Sequence, residues 1–160
     1  MRKFDFLIGD WVLEYRVPRT RLHEAAKGTG SGTFRRILDG KFVSFDYESY
    51  IGGERGRAHA VFGRDSKSGV YRYWWFEDSG AFMTATCDFV DHKTLAISWH
   101  DTLLRQTFQK TGPAEVTLRL ERPAKGGGSE LVLEVLLKRK RPGGGPGRVG
   151  ADRALAPCHV

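Results

Sequence analysis

A chain of 160 residues and 18.0 kDa is the size of one ordinary domain. Its composition, 40% hydrophobic and 28% charged with 10 Phe, 5 Tyr and 4 Trp, excludes a disordered or collagen-like polymer. The net charge of +7 raises nucleic-acid and membrane partners, but residues 1–118 carry 17 Lys/Arg against 15 Asp/Glu while residues 119–160 carry 9 against 4, so the body is nearly balanced and the excess is C-terminal.

The segment Met1 to Asp10 has basic residues but only a short apolar run, Phe6-Leu7-Ile8, which is no signal peptide, and no stretch approaches the roughly 20 apolar residues of a spanning helix. The two cysteines, Cys87 and Cys158, make neither a disulfide framework nor a metal-binding spacing. A cytoplasmic protein without a membrane partner is the expectation.

Turn signals then punctuate the chain at Asp39-Gly40, Gly52-Gly53, Ser66 to Gly69, Asp78-Ser79-Gly80, Asp91 to Lys93, Thr111-Gly112-Pro113 and Gly126 to Gly128. Each interval accommodates one strand and one turn, and none holds a helix-length amphipathic segment. Strands are predicted at 11–18, 29–38, 41–51, 56–64, 70–77, 81–90, 93–100, 102–110, 114–122 and 129–140. Leu95, Ile97 and Trp99 alternate with Ala96, Ser98 and His100, and Val116, Leu118 and Leu120 with Thr117, Arg119 and Glu121, which is the period of a half-buried strand. Short connections make neighbours antiparallel, and an up-and-down row of this many strands protects its edges best by closing. The expected fold is therefore all-β: a roughly ten-stranded antiparallel up-and-down barrel over residues 1–141. Residues 20–27 are expected as one or two helical turns or a long loop, and residues 142–160, opening Pro-Gly-Gly-Gly-Pro-Gly, as a flexible tail.

The opening Phe6-Leu7-Ile8-Gly9-Asp10-Trp11, with Gly-x-Trp before the first strand, resembles the lipocalin and wider calycin motif. Ile37 to Phe42, Gly63-Arg64-Asp65 and Trp74 to Gly80 follow in the order seen in the bacterial family called domain of unknown function 1579, so that the resemblance covers about residues 4–110. It implies a lipocalin-like (calycin) barrel, distantly similar to the haem-binding nitrobindins, in a family without an established activity. Gly9 would permit the close turn into the barrel and Trp11 would plug its closed end. In calycins an arginine from a late strand packs over that Trp, and Arg105 is the candidate here.

A barrel of this size either is filled by side chains or holds one small ligand. Trp11, Tyr15, Tyr47, Phe62 and Trp75 are the candidate walls for a small, mostly apolar molecule. The parities of 56–64 and 70–77 stay open, because Tyr71, Tyr73 and Trp75 compete with Trp74 and Phe76 for the inside. His59 and His100 are candidate contacts to a ligand or to haem. Nitrobindin-like proteins take their haem ligand from a late strand, however, and no histidine lies between His100 and His159, which stands against haem. The alternative to a carrier is a filled barrel whose exposed aromatic strand faces form a homodimer.

Catalytic motifs are missing: there is no Gly-x-Ser-x-Gly elbow, zinc-binding His-Glu-x-x-His, phosphate loop or dinucleotide fingerprint. Cys87 alternates with Met83, Ala85 and Phe89 and reads as a small buried hydrophobe. Asp78 and Asp39 read as turn residues, and Asp46 and Glu48 as solvent-facing. Lys138-Arg139-Lys140-Arg141 could bind phosphates, but without interleaved aromatics it reads as a solvated strand end rather than a nucleic-acid site.

Overall fold

The computed structural model describes residues 1–21 and 23–141; the expected tail, 142–160, lies outside them. A 3-10 turn, Arg2–Phe4, precedes ten strands: β1 (Gly9–Val17), β2 (Ala26–Ile37), β3 (Phe42–Ile51), β4 (Glu54–Arg64), β5 (Tyr71–Glu77), β6 (Phe82–Asp91), β7 (Thr94–Trp99), β8 (Arg105–Gly112), β9 (Glu115–Pro123) and β10 (Ser129–Arg139). Each strand pairs antiparallel with the next in sequence, and β10 returns to pair with β1, giving a closed barrel. Closure satisfies both edges of the sheet, which an open meander would leave exposed. Residues 18–21 and 23–25 carry no helical turn, and β2 begins at Ala26.

Side chains alternate in and out along every strand, so one inner face per strand builds the core. Trp11, Leu13 and Tyr15 point inward from β1, Val43 and Phe45 from β3, Leu95 and Ile97 from β7 and Val135 and Leu137 from β10, and all are buried. Two ambiguous parities are resolved: Ala60 and Phe62 face inward from β4, and Tyr73 from β5 joins them, while Trp75 and Tyr71 pack against the same cluster. Trp74 and Phe76 face outward.

The inner face is built from rows that alternate bulk. Across β3, β4 and β5 the register sets Tyr47, Ala58 and Glu77 side by side; Phe45, Ala60, Trp75 and Met83 form the next row, and Phe62, Tyr73, Ala85 and Trp99 the one after. An alanine beside each large ring leaves the space that the ring fills. Outside, cations and glutamates bridge neighbouring strands, as at Arg119 with Glu134 and at Lys138 with Glu14, and Arg119 also pairs along its own strand with Glu121. Exposed pairs of this kind each contribute well under about 1 kcal/mol.

One end of the barrel is sealed. The N-terminal turn carries Phe4 and Leu7 under the strands, where both are fully buried. Phe4 meets Phe62 at 5.2 Å, Tyr71 at 5.7 Å and Phe89 at 4.9 Å between ring centroids. Phe34 stacks on Phe45 at 3.8 Å and meets Phe108 edge-on at 5.8 Å, completing an aromatic floor.

Trp11 belongs to this floor. Its indole N–H donates to the Leu7 carbonyl at 2.7 Å, and the guanidinium over its ring, 4.3 Å from the centroid, is that of Arg139. Arg105, expected there, is exposed on the outer face of β8 opposite Glu121. Strand parity explains the correction, since Gln106 and Phe108 take the inward positions of β8, and barrel closure sets Arg139 directly opposite Trp11. Arg139 also donates to the carbonyls of Ile8 at 2.6 Å and Phe6 at 3.4 Å. Gly9 has φ +132° and leaves room for this side chain; a Cβ there would lie 2.5 Å from Arg139 Nη1.

Candidate functional site in the open half of the barrel

Opposite the floor, the interior is bounded by the ends of β1, β3, β5, β7 and β9 and the beginnings of the strands between them. Its inward-facing side chains include Tyr15, Tyr47, Trp75, Trp99, Leu118 and Leu133. Tyr15 is buried, whereas the other five are only half-buried although they pack against the core. Solvent thus still reaches inward-facing rings and leucines in this half, whereas the floor is fully packed.

Three aromatic side chains set the geometry. The Trp75 indole N–H donates to the Tyr47 hydroxyl at 2.7 Å, which fixes both rings. Trp75 and Trp99 stand nearly perpendicular, 6.2 Å between centroids at 79°, and Trp99 meets Tyr73 at 5.2 Å. Phe45 stacks behind Tyr47 at 4.6 Å. This is a rigid wall with ring faces and edges turned toward the lumen.

Polar groups are few. Burial pushes the Tyr47 phenol up to about 12, with the Trp75 hydrogen bond acting against the shift and the Glu77 charge adding to it. Burial likewise raises Tyr15, with Tyr47 adding to the shift and the Ser49 hydroxyl opposing it. Both hydroxyls therefore keep their protons at neutral pH and serve as hydrogen-bonding groups rather than bases. Glu77, half-buried at the end of β5, brings a carboxylate to the inner face beside Tyr47 and accepts a bond from the Ser79 hydroxyl at 2.7 Å.

The sequence-predicted residues divide between floor and open half. Tyr15, Tyr47 and Trp75 come together in the open half. Phe62, at 0% exposure, and Trp11, at 1%, are sealed into the floor, where they act by packing and touch no open space. Glu77 and Trp99 were missed as site residues. The signal for Trp99 was its place at the end of the apolar 95-97-99 face; Glu77 could be found only once the parity of β5 was known.

Both candidate histidines lie outside. His59 pairs through Nδ1 with Asp46 Oδ1 at 2.5 Å, and this hydrogen bond raises its pKa against the opposing effect of burial. His100 meets Thr84 Oγ1 at 3.0 Å on the outer face. Among the described residues no histidine side chain faces the lumen, so the interior offers no imidazole to a haem iron. Among the same residues no cluster of three or more His, Cys, Asp or Glu is arranged to hold a metal ion. Cys87 is a free, buried thiol pushed up to about 12 by burial, which leaves it protonated and unreactive at neutral pH.

Two further depressions lie on the rim. One of about 690 Å3 is bounded by charged loop residues including Arg19, Arg21, His23 and Glu24. The other, about 590 Å3, runs past Tyr15, Gly28, Tyr50 and Gly53. Both are troughs open to solvent, and neither is lined by Trp75 or Trp99.

No family model matches the sequence, and no curated protein matches it. The fold has solved counterparts. The crystal structure of Rv2717c from M. tuberculosis superposes with a TM-score of 0.61 at 14% identity, covering 88% of this chain and 96% of that one. The S-type phycobiliprotein lyase CPES from Guillardia theta superposes with a TM-score of 0.53 at 10% identity, covering 88% and 92%. At these identities the likeness is one of barrel architecture.

Proposed function

We propose that this protein binds a small, largely apolar molecule in the open half of its barrel. The observation that carries the reading is the half-buried inner wall of Tyr47, Trp75, Trp99, Leu118 and Leu133, held above a fully packed floor. Large apolar groups left reachable inside a barrel are costly unless something covers them. The calycin-like arrangement of Gly9 and Trp11 agrees with such a carrier or sensor. A cytoplasmic setting is part of the same reading, supported by the unpaired thiol of Cys87.

Native mass spectrometry of the freshly purified protein, followed by denaturing spectrometry, tests it. The expected result is an extra mass of a few hundred daltons lost on unfolding, or, for protein that emerges empty, saturable uptake of the neutral fluorophore diphenylhexatriene. Trp75→Ala should weaken that uptake about tenfold while the barrel stays folded by circular dichroism. Absence of both cargo and uptake would overturn the reading, and unchanged affinity in Trp75→Ala would remove Trp75 from the wall.

A second reading, a homodimer through the outer sheet face, has one observation in its favour. Phe76 and Phe82 face each other across β5 and β6 on the outside, 46% and 72% exposed, beside Trp74. The same native spectrum reads it directly as the mass of one chain or two.

A further inference from the structure

Glu77 differs from the glutamates that pair with cations: Glu14, Glu48, Glu121 and Glu134 lie on the outer face with an arginine or lysine within ion-pair distance, and Glu130 pairs with Arg122 across β9 and β10 at the rim. Glu54 and Glu115, at the starts of β4 and β9, likewise have no ion pair among the described residues, but of these three only Glu77 adjoins the Tyr47 and Trp75 wall. Glu77 forms no such pair among the described residues, in a protein with a net charge of +7. Its recorded side-chain hydrogen bond is the one from Ser79 to Oε1.

Its surroundings are equally specific. Ala58 is the residue between Tyr47 and Glu77 in their cross-strand row, and an alanine there leaves the carboxylate and the phenol facing one another over a small side chain. Trp75, two residues before Glu77 and so on the same face of β5, donates its N–H to the Tyr47 oxygen, so that the hydroxyl proton remains available to the lumen. Trp99 closes the arrangement at right angles to Trp75. A carboxylate without a cationic partner, set among two indoles and a phenol in a half-desolvated lumen, is the complement of an organic cation: the carboxylate supplies charge and the ring faces supply cation–π attraction. A neutral hydrocarbon would use the rings but leave the carboxylate partly dehydrated without compensation.

We infer that the lumen takes an amphiphilic organic cation, an aromatic or extended apolar body bearing one ammonium-type group, with its positive end held by Glu77, Tyr47, Trp75 and Trp99. The inference rests on the binding function proposed above and adds the chemical class of the guest.

The test uses the full chain and two fluorophores that differ by one group, neutral diphenylhexatriene and its trimethylammonium derivative, titrated separately into the wild type and into Glu77→Gln. The wild type should bind the cation about tenfold tighter than the neutral dye, and Glu77→Gln should lose that preference while its affinity for the neutral dye stays within about twofold. Equal affinities in the wild type, or a preference that survives in Glu77→Gln, overturn the inference and leave lumen binding standing. Binding of neither dye overturns the inference, and with no co-purified mass in the native spectrum it overturns lumen binding as well. The wild-type comparison is decisive by itself, so the outcome does not depend on the folding of the variant.

Discussion

Arg139 and Arg105 differ only in what strand closure does with them. Arg139 lies over the Trp11 ring and donates to two carbonyls of the N-terminal segment, whereas Arg105 projects outward from β8. Arg139→Met, which keeps much of the apolar stem, should therefore cost about 2–4 kcal/mol in urea unfolding, from the lost cation–π contact and two charge-assisted bonds. Arg105→Met should stay within about 0.5 kcal/mol. Equal costs would mean that Arg139 does not brace the floor. An arginine over Trp11 was legible from the resemblance, but its identity was not. Local pattern places Arg139 in a basic run at a strand end, and only the pairing of the first strand with the last turns that residue inward. The same fact changes the reading of the run, since Lys138 is engaged by Glu14 and Arg139 by the floor.

Among the elements, β2 shows how the inner face makes room for rings. Gly32 lies between Trp11 on β1 and Tyr47 on β3, and a Cβ added there would come within 2.6 Å of Phe45 Cε2 and 3.0 Å of Tyr47 Cβ. Gly32→Ala should destabilise by about 1–3 kcal/mol through overpacking, as measured by chemical denaturation. Gly112→Ala, whose added Cβ meets only Glu115 Cβ at an ordinary 3.4 Å, should be nearly neutral, and a similar loss there would point to backbone propensity instead. Strand existence and order were legible in the spacing of the turns, and ten of ten segments follow it. The inward faces of β4 and β5 were not, because Val61, Trp74 and Phe76 put apolar side chains on the outer face as well, and a period of two carries no sign when both phases are hydrophobic. Glu77 went unrecognised for that reason: its importance follows from sharing the phase of Tyr73 and Trp75.

Over the whole molecule, the N-terminal turn is as much part of the barrel as its strands. Phe4 is completely buried among Phe62, Tyr71 and Phe89, so Phe4→Ala should cost about 3–5 kcal/mol in urea unfolding, with Phe4→Leu losing markedly less. Since the floor and the Trp75 wall occupy opposite halves, affinity for diphenylhexatriene in the folded Phe4→Leu variant should stay within about twofold of the wild type. A large loss of affinity would show that the two halves are coupled. The closed barrel itself was readable from strand number and short turns. The packing of its floor was not, because Phe4 and Leu7 precede the first predicted strand and show no strand or helix period of their own.

Under the binding function proposed above, a floor closed by Phe4, Leu7 and Trp11 leaves a guest one way in and out. Such a guest would enter apolar end first and leave by reversing along the same path, so one polar terminus would stay turned outward. An acceptor for that cargo would then approach head-on and meet the polar terminus before anything else. Exchange under this proposal is directional in orientation although it uses a single path.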